Sequence, residues 1–251
     1  MEINVLTYFI VCPLLFLAGF VDAIGGGGGL ISLPAYLLAG LPIHQAIATN
    51  KLSSACGTTL ATMRFLKNGL VNLPLAVPSV LSAIAGSSIG AKLSLLTDEG
   101  LMENLLVVVL PIAAFIVLNK NLFKDNDEVS PTIGLRTYLV SVLAAFVIGM
   151  YDGFYGPGTG TFLIIAFTVW GKLKVSTANA QSKVINLTTN LTSLTIFLLN
   201  GQVLFSLGLA GAICNMIGGY LGAGLVIQKG SRIVKPVILL VLSLLFFKIV
   251  V

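Results

Sequence analysis

A chain of 251 residues in which 57% are hydrophobic and only 9% charged cannot cover a surface facing water, where soluble proteins carry about 25% charged residues. The net charge of +5 is scattered in short runs with no interleaved aromatic residues, which argues against a nucleic-acid partner and for membrane topology. What remains is an all-α polytopic membrane protein in a lipid bilayer.

Glu2 precedes the first apolar stretch without any Lys or Arg. The positive region of a secretory signal is therefore missing, and residues 5–24 read as an uncleaved span. Apolar stretches follow at 29–40, 44–66, 70–96, 101–118, 135–154, 159–171, 175–199, 203–227 and 235–251. Most have the length of a spanning helix, about 20 residues. The second and seventh, with cores at Leu30–Leu41 and Thr161–Trp170, are short, and each follows a glycine-rich break. The polar connection Lys120–Arg136 lies at the midpoint, dividing the chain into a first repeat (1–120), a connection (121–134) and a second repeat (135–251).

The two halves resemble each other. Asp22 followed by Gly25–Gly29 has its counterpart in Asp152 followed by Gly156-Pro157-Gly158-Thr159-Gly160. A constant offset of 132 residues then pairs Lys51 with Lys183, Asn68-Gly69 with Asn200-Gly201, and Gly86 and Gly90 with Gly218 and Gly222. A lysine pair and an Asn-Gly pair in one register indicate a duplication.

Loop charges indicate how the halves are oriented. If the short segments count as crossings, each half has five and the halves are inverted. One side then holds Arg64, Lys67, Lys120, Lys124, Arg136, Lys172, Lys174, Lys229, Arg232 and Lys235, and the other only Lys92 and Lys248. If the short segments are re-entrant, the charges divide evenly. The asymmetric arrangement is the one expected of membrane proteins, and it places both termini outside the cytoplasm.

Inverted repeats with paired, glycine-broken short segments point to a transporter binding site near the midplane. A helix that begins inside the membrane presents free N–H groups and a positive dipole end to an anion. Glycine lets the backbone unwind and approach a ligand, and Pro157 suits a first helical turn. Gly26, Gly27, Gly28, Gly29, Gly156, Gly158 and Gly160 are accordingly candidate ligand contacts, although glycines in membrane helices also serve close packing.

Asp22, Lys51, Asp152 and Lys183 are ionisable residues inside apolar stretches, where a charge costs roughly 2.5–3.5 kcal/mol on insertion scales. Two readings of them stand together. The lysines attract an anionic substrate, or each pairs with an aspartate. An ion pair that opens when substrate competes satisfies both. Asn50, Gln181, Ser182 and Asn186 lie close enough to the lysines to line a cavity, whereas Asn190 and Thr192 suit bonds between helices. Asp22 and Asp152 are candidates for proton coupling, since the protonation of a carboxylate beside a lysine responds to a changing dielectric.

Cys12, Cys56 and Cys214 lie far apart in apolar stretches and read as buried structural thiols. His44 is the only histidine and suits a surface or capping role. Trp170 suits an interfacial anchor. No nucleotide-binding, nucleophile-elbow or metal-ligand pattern is present, so neither an enzyme nor a cofactor or metal is expected.

These motifs resemble a known family. Phe20-Val21-Asp22-Ala23-Ile24 with the Gly25–Gly29 run, then Ala48-Thr49-Asn50-Lys51-Leu52, is similar to the TauE/SafE sulfite exporter family. Tyr151-Asp152-Gly153-Phe154-Tyr155-Gly156-Pro157-Gly158-Thr159-Gly160, followed by Lys183 to Asn190, agrees in the second half. Within that family the match is to the branch of probable membrane transporters with a lysine in both halves. Gln181-Ser182 departs from the small or histidine residues common in relatives. The resemblance implies a multi-pass carrier in the inner membrane for sulfite, sulfoacetate or another sulfur-containing or organic acid. It carries the site onto Asp22, Gly25–Gly29, Asn50, Lys51, Asp152, Gly156–Gly160, Lys183 and Asn186. The expected mechanism is alternating access, with a proton or sodium ion as coupling partner and oligomerisation open. An anion channel and a non-transporting membrane subunit are the alternatives.

Overall fold

The computed structural model describes residues 5–102, 133–230, 232–234 and 236–237. Most of the expected fifth and tenth segments and of the polar connection lies outside these residues. The described residues form helices α1 (Val5–Gly25), α2 (Gly29–Leu38), α3 (Ile43–Lys67) and α4 (Leu73–Leu96), then α5 (Leu135–Phe154) and α6 (Thr159–Ile165). A π-helical turn (Ala166–Trp170) continues α6, and α7 (Val175–Leu199) and α8 (Phe205–Lys229) follow. Both short segments expected from the sequence are present, at α2 and at α6 with its π turn.

Equivalent residues end equivalent helices. At the end of α3, Gly69 takes φ +66°, and at the end of α7, Gly201 takes φ +67°. Glycine carries no steric penalty in this left-handed region. The next residue donates back across each helix end: Leu70 N–H to the Phe65 carbonyl and Gln202 N–H to the Phe197 carbonyl, both at 3.1 Å. The Asn68 and Asn200 amides each donate to a carbonyl four residues earlier, at 2.8 Å. Asn72 then opens α4 by accepting from Leu75 N–H at 3.0 Å, with Pro74 in the first turn.

The exterior is unlike that of a soluble protein. On α8, Phe205, Leu209, Ile213, Ile217 and Leu221 are exposed at every fourth position, as are Leu135, Leu139, Leu143 and Val147 on α5. The interior holds, among apolar residues, Thr49, Asn50, Lys51 and Ser53 of α3, and Asn179, Gln181, Ser182 and Lys183 of α7. An apolar exterior around an interior that also buries charged and amide side chains suits lipid and not water. α1, α4, α5 and α8 are long and apolar enough to cross a membrane. α3 and α7 are as long as α8, 25 residues each, but their polar faces are enclosed by the apolar helices. The chain is a membrane-embedded, all-helical protein.

Glycines bring two helix pairs into backbone contact. A Cβ at Gly86 would collide with the Phe146 carbonyl and one at Gly90 with the Met150 carbonyl, so α4 lies directly on α5. At the matching positions, Gly218 and Gly222 meet the carbonyls of Phe16 and Phe20, so α8 lies on α1. Small residues at four-residue spacing allow this approach in lipid, where packing and not hydrophobicity holds helices together. The first half thus packs α4 on the first helix of the second, and the second half packs α8 on the first helix of the first.

The contacts also give directions. Residues 82, 86 and 90 of α4 meet 142, 146 and 150 of α5 in rising order. Gly208, Gly211 and Gly224 of α8 meet Thr49, Ser53 and Arg64 of α3 in rising order as well. Asn72 and Ser87 of α4 meet Gln181 and Thr189 of α7. α4, α5 and α7 therefore run one way, and α1, α3 and α8 run together. The start of α3 sits at the end of α7, where Thr49 accepts from Leu204 N–H at 3.1 Å. The Thr62 hydroxyl, near the end of α3, donates to the Lys183 carbonyl near the start of α7, at 3.2 Å. The central helices α3 and α7 are antiparallel.

Candidate functional site

Both glycine breaks lie at the centre of the molecule and touch one another. Gly26 has φ +81° and Gly156 φ +102°, each four residues after its aspartate. A Cβ on Gly26 would collide with the backbone of Gly160 and Thr161, and one on Gly29 would press on Pro157 Cα at 3.0 Å. The Thr161 hydroxyl donates to the Gly25 carbonyl at 2.7 Å, tying the start of α6 to the end of α1. The glycines here are required both for backbone conformation and for the close approach of two chains.

Each aspartate sits at the end of its helix and folds over its own break. Gly26 N–H donates to the Asp22 carbonyl at 2.8 Å, and Gly28 N–H to Asp22 Oδ1 at 3.4 Å. Backbone bonding in α2 resumes with Leu30 N–H to the Gly27 carbonyl at 3.1 Å and Ile31 N–H to the Gly28 carbonyl at 2.9 Å. In the second half, the Tyr151 hydroxyl donates to the Pro157 carbonyl at 2.7 Å, and its ring packs edge-on against Phe162. The second break is braced by aromatic side chains, whereas the first is formed by glycine alone.

The lysines reach across the halves. Lys51 Nζ on α3 lies 2.8 Å from Asp152 Oδ2 on α5. Lys183 Nζ on α7 lies 2.8 Å from Asp22 Oδ2 on α1. Each lysine thus pairs with the aspartate of the other half of the chain. The pairs are not equally enclosed: the Asp152 side chain is 2% exposed and that of Asp22 17%. Gly156 covers the first pair, its Cβ position lying 3.0 Å from both Lys51 Nζ and Asp152 Oδ1. The two pairs cancel in charge, and each lysine is occupied by an aspartate.

The neutral candidates divide. Gln181 is fully buried, and its amide pairs with the Asn72 backbone, accepting from its N–H and donating to its carbonyl, both at 3.3 Å. Its equivalent, Thr49, braces the start of α8 in the same way. The Ser182 hydroxyl donates to the Asn179 carbonyl at 2.7 Å. Asn50 Oδ1 accepts from Ser54 at 3.2 Å, and Asn186 Oδ1 from the Asn190 amide at 3.2 Å. Asn190, read from sequence as bonding between helices, bonds within α7.

Asn179 was not singled out by the sequence. It is fully buried, one turn before Lys183, and its amide donates to the Ala23 carbonyl at 3.1 Å beside Asp22. A polar residue four positions from a buried lysine, on the same helix face, was the available signal.

Other readings are settled locally. The cysteines are not buried but half-buried, and they are free thiols. Cys12 and Cys214 line an apolar cavity of about 450 Å³ with Tyr8, Phe9, Pro13 and Phe16, and none of the candidate site residues lines it. His44 lies within hydrogen-bond distance of the Ser94 carbonyl, at 2.9 Å, joining the start of α3 to the end of α4. Trp170 is exposed. Among the described residues, no group of three or more His, Cys, Asp or Glu could hold a metal ion.

A family model described as sulfite exporter TauE/SafE matches residues 11–249. A "probable membrane transporter protein ORF9" of Sinorhizobium is 34% identical over 90% of this chain and 85% of its own length. A probable membrane transporter protein of Haemophilus influenzae is 34% identical over 94% of this chain and 91% of its own. The probable membrane transporter protein YfcA of Escherichia coli is 32% identical over 96% and 91%. No solved structure matches.

Proposed function

Because the chain belongs to the TauE/SafE sulfite exporter family, we propose that it is a secondary transporter carrying a small anion across the inner membrane by alternating access. The observation that carries this reading is the exchanged pairing of Lys51 with Asp152 and Lys183 with Asp22 around two abutting helix breaks. A buried charge pair is costly, and replacement by apolar residues is often more stable. Two such pairs at the junction of the halves suit a site whose lysines are released to a substrate. Small sulfur oxyanions and organic acids are the substrate class, held by a lysine and by the positive dipole ends at the starts of α2 and α6.

The same geometry supports coupling to protons. A proton on Asp22 or Asp152 frees its lysine for the anion, so proton and anion are expected to travel together. Rocking of one half against the other then exposes the bound anion to each side in turn.

The helix directions support an inverted arrangement with the short segments acting as crossings, since α1 and α3 run the same way on either side of α2. Arg64, Lys67, Arg136, Lys172, Lys174 and Lys229 then fall at one end of the helices and Lys92 at the other. We place the first group in the cytoplasm. Single cysteines replacing Lys67 and Asn200 in a cysteine-free background are expected to react with an impermeant maleimide from opposite sides. Labelling from one side would reject the arrangement.

Proteoliposomes test the transport reading. Preloaded sulfite is expected to accelerate uptake of labelled sulfite, and the exchange is expected to saturate. Single-channel currents would instead establish a channel, and flux equal to that of protein-free vesicles would reject transport of this anion.

A further inference from the structure

Asn179 is fully buried on α7, one turn before Lys183. Its Nδ2 donates to the Ala23 carbonyl at 3.1 Å, while its Oδ1 is a buried acceptor with no partner. The bond to Ala23 fixes the amide orientation, since a carbonyl can accept only from the NH2 side. Oδ1 therefore faces away from Ala23. A buried amide oxygen without a donor is rare and calls for an occupant.

The neighbouring charges limit that occupant. One residue from Ala23, Asp22 is held by the Lys183 ammonium at 2.8 Å. A metal cation would meet that ammonium, and the nearby Ala23 carbonyl already accepts from Asn179. An anion with its own O–H or N–H donor suits both demands, its charge on Lys183 and its donor on Asn179 Oδ1. At the equivalent position in the first half stands Ile47, fully buried and without any polar atom on its side chain. The two half-sites are thus chemically different.

We propose that Asn179 is a specificity-determining residue that selects anions bearing a hydrogen-bond donor beside the charged group, such as hydroxy- or amino-substituted sulfonates and carboxylates. The proposal rests on the anion-carrier reading and deepens it. Bound at the Lys183 half-site, such an anion displaces Asp22 from the ammonium and supplies the hydrogen that Oδ1 lacks. A site built to pair a substrate donor rejects the analogue without one, because its own polar group would stay unpaired.

The test compares 2-hydroxyethanesulfonate with ethanesulfonate, which differ only in the hydroxyl, by calorimetric titration of the purified full-length protein. The wild type is expected to bind the hydroxylated anion about tenfold more tightly, the worth of one net hydrogen bond. Asn179→Leu is expected to abolish that preference while leaving ethanesulfonate affinity within about twofold, a shift smaller than one net hydrogen bond. Should Asn179→Leu not fold, as judged by size exclusion and thermal unfolding, Asn179→Ala takes its place with the same expectation. Equal affinities in the wild type, a preference that survives in the variant, or an equal loss for both anions would overturn the proposal. In each of those cases, binding abolished in the charge-neutral combination of Lys183→Met with Asp22→Leu, shown to be folded by size exclusion and thermal unfolding, leaves the carrier reading standing. Wild-type protein that binds neither anion counts against this assignment, and the carrier reading is then decided separately by the sulfite exchange measurement.

Discussion

Replacing Lys183 with methionine is expected to destabilise the protein by about 3–5 kcal/mol, because it strands the Asp22 carboxylate in the interior. Lys51→Met is expected to cost as much or more, since Asp152 is the more deeply enclosed of the two carboxylates. Removing both partners should reverse most of the loss: Lys51→Met with Asp152→Leu leaves no uncompensated charge and fills similar space. Thermal or denaturant unfolding in detergent measures all of these.

The pattern of coupling identifies the partners. Lys51 and Asp152 variants are expected to be strongly non-additive, as are Lys183 and Asp22, because each pair is in direct contact. Lys51 combined with Asp22, by contrast, should come close to additive. Strong coupling within each half, rather than across the halves, would contradict the exchanged pairing. A doubly neutral variant that is stable but does not bind anions would show why the pairs are kept.

Gly26→Ala is the second large effect expected. The backbone there has φ +81°, where a left-handed conformation costs an L-residue roughly 1–2 kcal/mol. The added methyl would also collide with the backbone of Gly160 and Thr161, which cannot move aside as a flexible side chain could. The sum should exceed the strain alone and separate the two breaks. Gly69 is the control, with φ +66° and open space around its Cβ position. Gly69→Ala carries the conformational strain without the collision and should cost about 1 kcal/mol. Equal losses at the two positions would mean that the breaks do not depend on touching.

Much of this arrangement is legible in the chain, for physical reasons. Glycine runs between apolar stretches announce helix breaks, since nothing else so readily tolerates positive φ and close backbone approach. The short segments accordingly stand where expected, at α2 and at α6 with its π turn. Asp22, Lys51, Asp152 and Lys183 stand out because charge is scarce in apolar sequence. Their pairing was not legible. Whether Lys51 meets Asp22 or Asp152 depends on how the halves interlock, which local sequence does not record.

Gln181 shows the opposite limit. Its place beside Lys183 suggests a cavity, but its amide pairs with the backbone of Asn72, 109 residues away. Asn179 is not legible from the matched positions of the two halves, because its match, Ile47, is apolar. The cysteines were expected to be buried because they lie in apolar stretches. In a membrane protein such stretches face lipid as often as the core, and all three thiols are half-buried.

The most direct measurement is a sulfite titration of the wild type and of a variant with both pairs neutralised: Lys51→Met, Asp152→Leu, Lys183→Met and Asp22→Leu. Both proteins are first shown to be folded by thermal unfolding in the same detergent. Saturable binding by the wild type and none by the folded variant is the expected result. Equal binding by the two proteins would contradict the assignment of the anion site to the exchanged ion pairs.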